Sequence, residues 1–105
     1  MVRFPIAALA LVWATCAFAG TMTGNELLSW CNDKDSPFHQ GACDGYINGA
    51  LDVATHIGSF CAPADVSLGQ IREMVLKYLR AKPEARNLTA SFLVWEATRT
   101  FACHN

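Results

Sequence analysis

Five cysteines and three histidines carry most of the reactive chemistry open to this 105-residue chain. His39, His56 and His104 lie in no Gly-x-Ser-x-Gly or His-Glu-x-x-His pattern, and no glycine loop is built to cradle phosphate. Cys16, Cys31, Cys43, Cys61 and Cys103 include no Cys-x-x-Cys pair, so they fit no common zinc module. One polar constellation remains. Asp52 and His56 stand four apart, with Asn48 before them, and helical spacing puts all three on one face. Such a face can orient an imidazole or offer part of a metal site. No third ligand accompanies it, and the plainer reading is a solvated surface. The inventory points to a protein that binds rather than transforms. No enzymatic activity, metal or cofactor is expected.

The cysteine count acquires meaning from the first nineteen residues. Arg3 is followed by the apolar run Ile6-Ala7-Ala8-Leu9-Ala10-Leu11-Val12-Trp13-Ala14, and then by the small-x-small site Ala17-Phe18-Ala19. A positive start, a short apolar core and a small-residue site make a secretory signal peptide, cleaved before Gly20. The run is shorter than the roughly 20 residues of a membrane-spanning helix. Retention as an anchor and lipidation of Cys16 are the alternatives. Thr15 suits lipidation poorly, because that signal wants a small residue before the cysteine. Cleavage removes Cys16 and leaves an even set of four in an exported chain, which reads as two disulfides. The remaining residues 20–105 form one domain, near the size at which a single core is marginal. The product is periplasmic, with no membrane segment. A formal net charge of −1 gives no basic field for nucleic acid.

Four helical stretches must position these groups. The first starts near Thr23 or Gly24, with Leu27, Trp30 and Cys31 on one face. The turn-rich run Asn32-Asp33-Lys34-Asp35-Ser36-Pro37 ends it. The second runs from about His39 to Ile57. It carries an apolar stripe of Cys43, Ile47, Ala50, Leu51 and Ala54, and Gly58 is suited to close it. The third opens on Ser67-Leu68-Gly69-Gln70, which has the form of a capping box. Leu68, Ile71, Val75 and Leu79 share its apolar face, Arg72, Glu73, Lys77 and Arg80 point outward, and Lys82-Pro83 ends it. The fourth begins between Glu84 and Thr89 and reaches Phe101. No segment alternates like a strand, so the fold class is all-α, a small four-helix domain.

This arrangement discriminates among the three possible pairings. A short connection makes the third and fourth helices antiparallel neighbours. Cys61, just before the third, then lies beside Cys103, just after the fourth. Cys31 ends the first helix and Cys43 opens the second across a tight loop. The pairs Cys31–Cys43 and Cys61–Cys103 follow, worth about 3 and 4 kcal/mol by the chain-entropy model.

Three surface features are candidates for binding. The first is the loop Asp33-Lys34-Asp35-Ser36-Pro37-Phe38-His39, tied at both ends and carrying one aromatic. Phe38 either anchors a partner or tucks in beside Trp30. The second is the polar stripe Asp44, Asn48, Asp52 and His56. The third is the line Gly41, Gly45, Gly49. Each helical glycine costs about 1 kcal/mol relative to alanine, so three in line call for the close approach of another helix. That helix belongs either to a second copy or to the same chain. Charge is uneven as well. Residues 20–65 hold Glu26, Asp33, Asp35, Asp44, Asp52 and Asp65 against Lys34 alone, whereas the basic residues gather after Val66. Balance between packed halves accounts for this, and so does a polarised surface that steers a partner.

The ordered set Cys43-Asp44-Gly45-Tyr46-Ile47-Asn48-Gly49, Phe60-Cys61-Ala62-Pro63, Val66-Ser67-Leu68-Gly69-Gln70, Val75-Leu76-Lys77-Tyr78-Leu79, Pro83-Glu84 and Phe101-Ala102-Cys103 resembles the Rap/Tai family of small exported immunity proteins. The resemblance covers about residues 24–103. It departs locally at Ala102, where the family often has proline. It implies an all-helical periplasmic protein, commonly a homodimer. It also implies a protein partner, a type VI secretion amidase toxin that cuts peptidoglycan peptides with a cysteine–histidine active site. The competing reading is a small periplasmic protective or chaperone-like helical protein without a dedicated toxin.

Overall fold

The structure, a computed structural model, describes residues 21–104. The expected signal peptide, with its cleavage site and Cys16, lies outside the described residues. Four helices follow in order: α1 (Gly24–Asn32), α2 (Pro37–His56), α3 (Leu68–Ala81) and α4 (Ala90–Ala97). Short 3-10 turns at Pro83–Ala85 and Arg99–Phe101 flank α4. Among the described residues, β pairing is confined to two isolated bridges, Thr23 with Thr89 and Phe60 with Ala102.

Local chemistry sets the helix ends. Thr23 caps α1 by accepting from the Glu26 amide at 3.3 Å, and Glu26 adds an acid to the positive end of the helix. Ser36 caps α2 by accepting from the His39 amide at 3.1 Å. Helix α2 therefore starts two residues earlier than the sequence predicts. Pro37 takes the first helical position, where its missing N–H costs nothing. Gly58 ends α2 with φ +78°. Its amide reaches the Thr55 carbonyl while the Ser59 amide reaches that of Ala54, a left-handed C-cap that favours glycine. Ser67 and Gln70 form the expected capping box at the start of α3, with bonds of 2.7 and 3.1 Å.

The fourth helix is shorter than its apolar pattern predicts. Buried Thr98 donates its hydroxyl to the Val94 carbonyl at 2.9 Å. A threonine bonding back to the preceding turn competes with helix propagation, and the chain tightens into the 3-10 turn.

The core gathers Leu27, Leu28 and Cys31 of α1, Cys43, Ile47 and Leu51 of α2, Ile71, Val75 and Leu79 of α3, and Ala90, Leu93 and Val94 of α4. Leu68, expected on the apolar face of α3, is exposed instead. Cysteine pairing is as the helix ends require. Cys31 joins Cys43 with Cα atoms 5.1 Å apart, and Cys61 joins Cys103 at 4.9 Å. The second pair is reinforced by the Cys61 amide donating to the Phe101 carbonyl at 2.7 Å and by edge-to-face packing of Phe60 on Phe101. At the other end, Ala90 donates to Met22 and Gly24 to Leu88. A Cβ on Gly24 would collide with Leu93 Cδ1 and lie 3.1 Å from the Arg86 carbonyl. The chain there needs glycine for close approach.

Candidate functional site

The α1–α2 loop is held from several sides. The Cys31–Cys43 bond closes it. His39 donates from Nδ1 to Asp33 Oδ2 at 2.7 Å. The imidazole stacks on Trp30, with ring centres 5.8 Å apart and planes 8° from parallel. His39, not Phe38, therefore takes the place beside Trp30. Phe38 is 74% exposed and only tilts against the outer face of His39. Lys34, Asp35 and Pro37 are exposed beside it. The loop thus presents one aromatic and one free carboxylate, Asp35, on a braced base.

The polar stripe of α2 is divided. Asp44 accepts from Arg72 Nη1 of α3 at 2.8 Å, so Arg72 turns inward rather than outward as the helical pattern predicts. Asn48, Asp52 and His56 stay exposed. The Arg72–Asp44 pair answers part of the charge asymmetry inside the protein, because the basic α3 packs along the acidic half.

Among the described residues, a Cβ on Gly41, Gly45 or Gly49 would meet nothing within 4 Å, so close packing between the described helices does not explain the line. The line continues at the same spacing into Val53 and Ile57, which are 62% and 71% exposed. Alongside, α4 presents Phe92 at 49% exposure. Between the two helices runs an open groove of about 410 Å³, lined by Ala50, Val53, Ala54, Ile57, Phe92 and Trp95 among others. Sequence reasoning passed over Val53 and Ile57. Their signal was present, since they extend the line Gly41, Gly45, Gly49 by two further steps of four. Arg72 had no such signal, because its partners come from α1 and α2.

A family model for Rap1a immunity proteins matches residues 23–103. No curated protein and no solved structure matches the chain. The matched span runs from the cap of α1 to the last disulfide cysteine and takes in every element of the fold; the chain belongs to the Rap1a immunity protein family.

Proposed function

We propose that this protein is an exported immunity protein that acts in the periplasm by occluding a peptidoglycan-cleaving cysteine–histidine amidase toxin of type VI secretion. The observation that carries the reading is Phe38, 74% exposed on a loop closed by a disulfide and braced by the Asp33–His39–Trp30 stack. A pre-ordered loop loses little conformational freedom on entering a groove, which is how rigid inhibitors gain affinity. An exposed aromatic beside it, in the first turn of α2, is the residue type that anchors interfaces. Asp35 offers a polar contact to the rim of such a groove, Asn48, Asp52 and His56 extend the exposed polar face along α2, and the carboxylates speed encounter with a basic rim.

The test is native capture from periplasmic extract, using bait recovered there with Gly20 as its first residue. A captured amidase supports the reading. Phe38→Ala with Asp35→Ala, folded by circular dichroism, should cut its retention by at least about tenfold, the loss of one modest anchor. Undiminished capture moves the partner surface to α3 and α4. The chaperone-like alternative draws support from the open apolar groove between α2 and α4. Capture of many unfolded chains and no amidase would favour it.

The glycine line supports homodimerisation. Gly45 and Gly49 form a notch, and Val53, one turn on, forms a protruding knob on the same face. An antiparallel two-fold pairing centred on Gly49 sets Val53 of one protomer against Gly45 of its partner. Both halves of an isologous contact are then present on one helix. Ridges of spacing four on both helices cross at about −50°.

A further inference from the structure

Helix α1 has no basic residue in its own last turn, yet its C-terminal carbonyls carry the negative end of the helix dipole and lack intrahelical donors. Other elements supply those donors. The Gln40 side-chain amide donates to the Asp33 carbonyl at 2.8 Å and the Cys31 carbonyl at 3.2 Å, with a longer contact of 3.4 Å to Trp30. Arg72 spans the same point from α3. Its Nη2 donates to the Cys31 carbonyl at 3.1 Å and to Gln40 Oε1, while Nη1 holds Asp44 at 2.8 Å. Arg80, two turns further along α3, donates to Asn32 Oδ1 at 2.8 Å.

We infer that Gln40 and Arg72 are positioning residues for partner binding, which fix the pose of the 33–39 loop from beneath. The disulfide joins only the two ends of the loop. It limits how far they separate and leaves the backbone of residues 33–36 free to choose its turn. Gln40 chooses it by holding the Cys31 and Asp33 carbonyls on one amide. Arg72 in turn holds the Gln40 side chain in the rotamer that makes this possible. A planar guanidinium with several fixed donors suits that task, and an ammonium does not. The backbone that carries Asp35, between α1 and the helical turn of Phe38, is thereby coupled to α3, an element with no residue in the loop. The inference rests on the reading of this loop as the docking element.

The test is backbone amide exchange on the free, oxidised protein. The Asp33 and Lys34 amides donate to the Trp30 and Asn32 carbonyls at the end of α1, and the Ser36 amide to the Asp33 carbonyl, so their exchange reports the pinned conformation. In Gln40→Met their exchange should rise by about tenfold to a hundredfold, the effect of losing hydrogen bonds to a helix end from a local opening equilibrium. Core amides at Val75 and Val94 should not change. Arg72→Lys keeps the charge beside Asp44 but loses the fork, so it should raise loop exchange by a smaller factor and leave the core unchanged. Unchanged loop exchange in Gln40→Met, or a rise shared equally by loop and core, would overturn the inference. Unchanged loop exchange in Arg72→Lys removes Arg72 from it. No partner is present in this measurement, so it fails or succeeds separately from the capture experiment with Phe38→Ala and Asp35→Ala.

Discussion

Alanine at Gly45 and Gly49 should stabilise the protomer, and leucine at both should abolish the dimer. The prediction rests on what each glycine faces. A Cβ at either position meets nothing within 4 Å, and both positions are exposed inside α2. The only term left within one chain is helix propensity, about 1 kcal/mol per glycine relative to alanine. The double alanine variant gains roughly 2 kcal/mol if the two sites act independently. For a domain of this size each kcal/mol moves the melting midpoint by about 4–8 °C. Leucine keeps most of the propensity gain but fills the notch that Val53 of the partner would enter. Thermal unfolding should be read at a protein concentration low enough that the wild type is monomeric, because dimerisation makes the midpoint concentration-dependent. Sedimentation velocity at rising concentration reads the dimer. A lowered midpoint for the alanine variant would show that the glycines serve packing within the chain. A leucine variant that still dimerises would place the interface elsewhere.

Gly24→Ala should destabilise by about 1–3 kcal/mol, the usual range for overpacking, because its Cβ meets Leu93 and the Arg86 carbonyl; a midpoint equal to wild type in thermal unfolding would contradict this. Under limiting reductant, alkylation and peptide mapping should find Cys61 and Cys103 free before Cys31 and Cys43, since Cys61 is exposed whereas Cys31 and Cys43 are 1% and 0% exposed; the reverse order would mean that the α1–α2 end opens first.

Much of the fold is legible because its signals are local. The Ser67–Gln70 box, the Gly58 cap and the apolar stripes of α2 and α3 depend on residues within a few positions of one another. The disulfide pairing is legible one level higher, since short connections force helix ends together. What escapes the sequence depends on contacts from afar. Thr98 ends α4 through its own hydroxyl, where the surrounding apolar pattern argues for continuation. Arg72 reads as an outward charge until α1 and α2 place Asp44, Gln40 and the Cys31 carbonyl in its reach. Gly24 reads as an ordinary helix start until Leu93 arrives against it.

The binding surfaces lie between these cases, and the reason is physical. Local rules are obeyed where the protomer needs only itself: α1, α2 and α3 have side-chain caps, the core is apolar, and Asp44 is paired. They are broken at the exposed aromatic Phe38 and along the line from Gly41 to Ile57. Phe38 lies outside the core although Trp30 offers an aromatic neighbour, because His39 occupies that neighbour's face. The glycines weaken α2 without admitting any atom of the described residues within 4 Å of an added Cβ. Natural sequences break local rules chiefly where function compensates. In the proposed reading the compensation at both places is a contact from another molecule: Phe38 would enter a partner, whereas α2 would receive Val53 of a second copy. The two surfaces differ in kind, so a leucine at Gly49 and an alanine at Phe38 should impair different assemblies while leaving the same fold.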